Sequence, residues 1–440
     1  MQNDSILDIV IENFRAINKA QISINGITVI AGENGSGKST ISKLIYHLYK
    51  TVNNYDGLVS ENLSYDLENI FTFLRITIND LLNKKSDRLI RNELHSELQS
   101  LKKDFEYNRI ENTSFNKLID VITKIQITLS FEVDKKIDEQ VFNRLRYIVT
   151  DITKKSSTSN STELSILFDI IKDHISVLFK EAYGYKKSRS SEIFKNELIN
   201  IFHDERLPKR FIVSEFGQEI VSLSKNSLSI PYIIQNVIYI DTPMLLGIET
   251  IDDNHWEDLN NIIRNYESSN HKNIFSDFIK EEIIEGEASY DSNFLATNDY
   301  TFKRKDGVIF NLLDCATGVK SFSIIQLLLK NGVINDKTLL IIDEPESHLH
   351  PQWIIEYARL IVLMNKHLGV KFLIASHNPD MVSAIKIISE KEETENYLNY
   401  YLAQKNKSSS YDFKALGTEI DPIFASFNIA FDRMNLYGGE

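Results

Sequence analysis

Cysteine is almost missing from this chain. Cys315 is the only one in 440 residues, which excludes an internal disulfide framework and fits a reducing cytoplasm. Positive charge is in deficit: 49 Lys and Arg face 62 Asp and Glu, for a formal charge of -13. That balance argues against a protein coated with basic surface for non-specific DNA binding, while leaving room for a local basic groove. Long apolar runs are lacking too. The most apolar segment, "IIEYARLIVLM", is too short to span a bilayer and carries Glu356 and Arg359. The start, "MQNDSILDIVIENF", has no basic stretch followed by an apolar core, so no signal peptide is expected. Heptads are not sustained, which argues against a long coiled coil.

What is present is ordinary globular composition, 42% hydrophobic and 25% charged. The length accommodates two or three domains, or one large domain with an insertion. "ILDIVIENF" and "INKAQISI" read as strands broken near Arg15-Ala16, followed by "NGITVIAG" and a segment of helical spacing, "GKSTISKLIYHLYK". From about Tyr55 to Leu207 the pattern becomes helical and rich in Lys, Glu and Asn, with the polar stretch "KKSSTSNSTE" as a loop. Strand patterning returns with "RFIVSEFGQEIVSLS" and "NVIYIDTP"; a helix is expected around Trp256 to Glu285, then a hairpin ending in "KRKDGVIFNLL". The helix "SFSIIQLLLKNG", the strand "TLLIID", the helix "PQWIIEYARLIVLMNKH" and the strand "KFLIASHNPD" then alternate. Such alternation predicts an α/β fold: a mixed sheet with a mostly parallel core and flanking helices, interrupted by a helical insertion. The expected division is 1–54 and 211–395 for the sheet-bearing head, 55–210 for the insertion, and 396–440 for a C-terminal segment packing on the head.

"AGENGSGKST" satisfies G-x-x-x-x-G-K-[ST] through Gly32, Gly37, Lys38 and Ser39, between a predicted strand and a predicted helix. Backbone N–H groups of such a loop, here spanning Asn34, Gly35, Ser36, Gly37, Lys38, Ser39 and Thr40, cradle phosphates at a helix N-terminus. The lysine reaches the β- and γ-phosphates, and the serine hydroxyl binds Mg²⁺. A loop of this kind requires a carboxylate at the end of a hydrophobic strand to hold the ion. Asp343 after "TLLII" is in that place, with Glu344 beside it as a general base for water. His377 follows another buried strand, where it could touch a γ-phosphate and its attacking water. His348 and His350 have two readings: a metal pair on an extended chain, or a structural turn or subunit contact. The small basic clusters Lys186, Lys187, Arg189 and Lys209, Arg210 read either as a nucleic-acid surface or as solvated helix ends.

In this order, "IENFRAI", "GENGSGKST", "LLIIDEPESHLHP" and "IASHNP" resemble the ABC-type ATPases of the SMC/RecF/OLD group, above all the AAA-family, ABC-like ATPases of bacterial antiphage loci such as the Septu (PtuA-like) and OLD proteins. The resemblance covers about Ile6 to Lys50 and Asn236 to Val382. It implies an ATPase using ATP and Mg²⁺, with Lys38 and Ser39 in Walker A, Asp343 as the Walker B ligand, Glu344 as base and His377 as switch histidine. It also implies a homodimer or higher oligomer whose heads sandwich ATP. Thr317 and Gly318 in "ATGVKS" would serve as the signature that meets the partner's nucleotide, although the motif departs from L-S-G-G-Q. "SHLH" departs likewise from the usual D-loop. Gln235 is the candidate for the Q-loop glutamine. Arg15 would lie near the base or phosphate, or else be a surface arginine at a strand turn. After His377 the sequence shows neither an acidic nuclease constellation nor an H-N-H arrangement, so a separately encoded nuclease or toxin is the expected partner in antiphage defence. The alternative is a RecF- or SMC-like clamp on DNA in repair or maintenance. A transporter subunit fits poorly, and no membrane partner is expected.

Overall fold

The computed structural model describes residues 6–107, 112–132, 137–154, 163–243, 246, 254–264, 273–291 and 299–425. The chain divides into two compact units, one formed by residues 1–53 and 194–440, the other by residues 54–193.

The first unit is organised by a ten-stranded sheet. Its opening strands are β1 (Leu7–Phe14), β2 (Ile17–Ile24) and β3 (Ile27–Ala31), followed by helix α1 (Lys38–Asn53). After the helical unit the chain adds β4 (Arg210–Glu215), β5 (Gln218–Ser222) and β6 (Asn236–Ile240). Later elements of the sheet are β10 (Thr338–Asp343), β11 (Lys371–Ser376), β12 (Leu398–Lys405) and β13 (Tyr411–Gly417). The order across the sheet is β5-β4-β1-β2-β13-β12-β3-β11-β10-β6. From β12 through β3, β11 and β10 to β6 every pairing is parallel. Toward the other edge, β2 with β1, β1 with β4 and β4 with β5 pair antiparallel.

Parallel strands covered on both faces need side chains that are apolar on both faces. "ITVIA" in β3 and "TLLIID" in β10 are buried at every position. β1 alternates buried and half-buried residues, as an antiparallel strand with one wetter face should. The helices α10 (Thr317–Lys330), α11 (Pro351–Leu368) and α12 (Pro379–Lys391) supply the aliphatic surface of the same core, with Phe322, Ile325, Ile361 and Ile385 fully buried. Local signals set their ends. Pro351 and Pro379 begin α11 and α12 in the first turn, where a missing N–H costs nothing, and Gly369 ends α11 at φ 69°.

Two further helices, α8 (Asn254–Arg264) and α9 (Ile274–Phe278), and a small antiparallel sheet of β7 (Gly286–Asp291), β8 (Asp299–Arg304) and β9 (Ile309–Asn311) complete this unit. The hairpin expected at "KRKDGVIF" is the β8–β9 turn at Gly307. A single helix from Trp256 to Glu285 is not what forms. α8 is described to Arg264; Asn273 is extended and caps the helical run from Ile274, which passes through a wide turn to Ile283 before Glu285 turns left-handed at φ 44°. Residues 398–417 do not lie on the outside of the head. β12 and β13 enter the sheet between β2 and β3, where they close its two halves into one surface.

The second unit is helical: α2 (Tyr55–Leu81), α3 (Arg88–Tyr107), α4 (Asn112–Glu132), α5 (Glu139–Thr153), α6 (Leu164–Ser188) and the start of α7 (Ser191–Phe202). Leu67, Phe73, Leu145, Phe168 and Ile171 form its interior at helical spacing. The compact division falls after Ile193, since Phe194 stacks on Phe211 of β4, with ring centroids 5.8 Å apart. The polar loop expected at "KKSSTSNSTE" lies, apart from its two end residues, outside the described residues. Among the described residues no helix is long and apolar enough to cross a membrane.

Candidate functional site

The site is assembled at the C-terminal ends of β3, β10, β11 and β6, where an open α/β sheet leaves a crevice between strands and helices. The glycine loop leaves β3 at Ala31 and returns into α1 at Lys38. Gly35 and Gly37 have φ of 79° and 99°, a region that favours residues without a Cβ. Gly37 is also closed in from outside, since a Cβ there would stand 2.9 Å from Cγ1 of Ile17 on β2. Around Gly35 a Cβ would meet nothing within 4 Å, so the loop opens to solvent at that point. Asn34, Gly35 and Ser39 are exposed, Thr40 is half-buried, and Ser36 is buried with its Oγ lacking any hydrogen-bond partner.

Lys38 folds back over this loop. Its Nζ donates to the carbonyls of Gly32 (2.8 Å) and Glu33 (3.0 Å). Burial lowers its pKa from the ordinary lysine value, against the pull of the carboxylates of Glu344, Asp343 and Glu346. A lysine already curled around the loop is positioned to exchange two carbonyls for phosphate oxygens.

Asp343 ends β10 and is 5% exposed. Its Oδ1 accepts from Ser42 of α1 at 2.6 Å, and its Oδ2 accepts from the Tyr239 hydroxyl of β6 at 2.9 Å. Burial raises its pKa, while hydrogen bonds from Ser42, Ser39 and Tyr239 act to lower it. The start of α1 and the end of β10 therefore meet at Asp343, although about three hundred residues separate them. Hard oxygen donors of this type, a hydroxyl and a carboxylate at the mouth of a glycine loop, fit Mg²⁺.

Glu344 follows in a left-handed conformation (φ 50°), with its N–H bonded to the carbonyl of Ala375 at 2.7 Å. That bend turns its side chain out of the strand, where it is 42% exposed. The imidazole of His377 is beside it, Nδ1 standing 3.4 Å from Glu344 Oε1. Strand pairing explains the meeting: Asp343 is opposite Ala375, so the residues just past each strand end share one space.

Other expected site residues sit elsewhere or serve differently. Thr317 and Gly318 open α10, where a Cβ on Gly318 would lie 2.7 Å from the ring of Trp353 and 3.2 Å from Leu349, whereas the glycine loop has Ile17 and Ala403 for neighbours. Arg15, at φ 52° in the β1–β2 turn, donates to the carbonyl of Phe202 (3.1 Å) and lies 5.0 Å over its ring. It lines a cavity of about 570 Å³ together with Ile17, Asn18 and Asp204. Through Ile17 this cavity adjoins Gly37.

Gln235 is a correction. It precedes β6, and β6 runs parallel to β10 with Asn236 opposite Thr338, so Gln235 is at the end of the sheet away from Asp343. The residue that β6 delivers to the site end is Asp241. It accepts from Trp256 Nε1 (2.6 Å) and pairs with buried His255 (3.1 Å). Burial acts to raise the pKa of Asp241, and these partners more than offset it. His348 and His350 are both exposed, and His350 caps α11 by accepting from Gln352 N at 3.4 Å. Among the described residues no cluster of three ligating side chains is present. Lys186 bonds Ser60, Arg189 stacks 4.7 Å over Tyr55, and Arg210 pairs with Glu12, so these three cations have internal partners.

Sequence reasoning missed Ser42 and Tyr239, and gave Glu346, the third carboxylate after β10, no role. Ser42 follows the loop motif by one helical turn, a spacing that could have flagged it. Tyr239 carries no motif signal at all.

An α/β head with a glycine loop, a strand-end carboxylate and an adjacent Glu-His pair defines a P-loop NTPase. A family model described as an AAA ATPase domain matches residues 5–382, and the chain belongs to that family. No curated protein matches. Among solved structures, the SMC head domain from Thermotoga maritima is similar at 11% identity and TM-score 0.37, covering 93% of this chain and 98% of that one. The Smc head domain with an extended coiled coil from Pyrococcus furiosus, bound to the C-terminal domain of ScpA, matches at 12% identity and TM-score 0.35 over 97% and 98%. CbiO1 from Clostridium perfringens, part of an ABC transporter complex, matches at 11% identity and TM-score 0.34 over 99% and 96%. All three likenesses are distant.

Proposed function

We propose that this protein is an ATP-hydrolysing switch whose heads close around ATP. The observation that carries the reading is the junction at Asp343: one buried carboxylate shared by the helix that follows the glycine loop and by the strand beside it. In this reading the N–H groups from Asn34 to Thr40 bind the phosphates, and Lys38 moves from the loop carbonyls to the β- and γ-phosphate oxygens. Ser39 and Asp343 would hold Mg²⁺, which would supply charge neutralisation to the phosphates. Glu344 accepts a proton from water at its exposed carboxylate, and His377 orients that water. Arg15 lines the cavity that would receive the rest of the nucleotide.

Gly318 packs beside Leu349 and Trp353 of its own chain, with Thr317 next to it at the start of α10. That placement supports a site completed by the signature of a second copy, and so a homodimer. We assign the downstream role to control of a separately encoded nuclease or toxin in antiphage defence, supported by the "DEPESHLHP" resemblance. Co-purification from the native host tests it, and recovery of no effector under ATP would remove it.

The test of the core reading uses two variants. Lys38→Ala should lose ATP binding, read by titration with a fluorescent ATP analogue; unchanged affinity would remove the loop from the site. Glu344→Gln should bind ATP, hydrolyse it at least ~100-fold more slowly and elute as a dimer with ATP on gel filtration. A monomer under saturating ATP refutes the sandwich.

A further inference from the structure

Glu346 is the third carboxylate of the turn after β10, and the role proposed above does not use it. It is 6% exposed, unusual for a glutamate that, among the described residues, pairs with no lysine or arginine. Its Oε1 accepts from Ser376 Oγ (2.8 Å) and from the N–H of His377 (3.0 Å), so it ties this turn to the end of β11. Its Oε2 is buried and has no hydrogen-bond partner. The Nδ1 of His377 also lacks a hydrogen-bond partner, and it stands 3.5 Å from Glu346 Oε1 and 3.4 Å from Glu344 Oε1. The unmet ring nitrogen thus stands beside the carboxylate whose other oxygen is unmet: the 3.5 Å approach is to Oε1, which already accepts two hydrogen bonds, while Oε2 of the same group accepts none.

The two carboxylates are not equal competitors for that donor. Glu344 is 42% exposed on its side chain, so water satisfies it; the Glu346 side chain is 3% exposed and must find its donor within the protein. A small rotation of the half-exposed imidazole closes the gap.

We propose that Glu346 is a positioning residue: its buried carboxylate takes the Nδ1–H of His377, which fixes the ring's tautomer and orientation and leaves Glu344 free to accept a proton from water. With Nδ1 committed as donor, Nε2 becomes the nitrogen without a hydrogen, available to the water or to the nucleotide end of the strands. The logic is that of a carboxylate orienting a histidine from behind. The inference rests on the ATPase reading for its catalytic consequence, but its structural part does not.

Two measurements separate these. In wild-type protein labelled with ¹⁵N-histidine, the His377 ring signals, assigned by their loss in His377→Gln, should report the neutral Nδ1–H tautomer. The Nε2–H tautomer would overturn the proposal whether or not the protein hydrolyses ATP. In kinetics, Glu346→Gln keeps an acceptor for Ser376 and the His377 N–H but loses the charge. It should lower kcat roughly 10–100-fold, with affinity for a fluorescent ATP analogue within about twofold of wild type. Placed on His377→Ala, Glu346→Gln should change kcat by less than about twofold, because the residue acts through the ring. Losses that multiply, or a fall in nucleotide affinity matching that in kcat, would show a merely structural role and refute the proposal. If wild type hydrolyses no faster than Lys38→Ala, the ATPase reading fails, while the tautomer result still stands.

Discussion

Tyr239→Phe isolates one hydrogen bond of the Asp343 junction. The substitution removes only the hydroxyl that donates to Oδ2 at 2.9 Å. The ring's contacts persist, at 4.6 Å from His255 and 5.7 Å from Tyr46 between centroids. Asp343 is 5% exposed, so water does not replace the lost donor freely. A hydrogen bond to a charged group contributes about 1.5–3 kcal/mol, and a buried acceptor left unmet costs at the same scale. For a unit of this size each kcal/mol shifts the thermal midpoint by roughly 1.5 °C, so a fall of about 2–5 °C is expected. The assay is thermal unfolding of wild type, Tyr239→Phe, Asp343→Asn and the double variant. In the Asp343→Asn background the hydroxyl faces a neutral amide, and its removal should cost about 0.5–1.5 kcal/mol. Equal cost in both backgrounds would refute the argument that the tyrosine serves the charge on Asp343.

Two other outcomes follow from the same geometry. Gly318→Ala places a Cβ 2.7 Å from the Trp353 ring; it should destabilise the head by about 1–3 kcal/mol, and an unchanged midpoint in denaturant unfolding would contradict that packing. His47, 6% exposed on α1, has its pKa pushed down by burial to about 3. The unfolded chain takes up this proton near the ordinary histidine value and the folded one does not. The group therefore has no effect above about pH 6.5 and erodes stability as pH falls toward 3, by about 2 kcal/mol at pH 5. The pH-dependence of unfolding should be shallower by that amount in His47→Gln; identical slopes between pH 7 and 5 would contradict it.

The contrast between local and assembled information is clearest residue by residue. The glycine loop was legible because phosphate binding needs backbone at close quarters, a demand that only a few residue types at fixed spacing meet. β10 was legible because a strand covered on both faces has to be apolar throughout, so its first charge, Asp343, marks the end. α11 and α12 announced their starts through Pro351 and Pro379.

Tertiary structure alone decided the partners. Register between β10 and β11 brings Glu344, Glu346 and His377 to one place, and no spacing along the chain encodes a pairing across two strands. The insertion of β12 and β13 between β2 and β3 was equally hidden, since a strand's neighbours in a sheet are chosen by the packing of the whole face. Gln235 failed for the same reason: its direction relative to Asp343 depends on β6 running parallel to β10. Residue chemistry and local spacing thus named the groups able to handle a phosphate. Strand order and register, set by the burial of apolar faces far from the site, determined which of them meet.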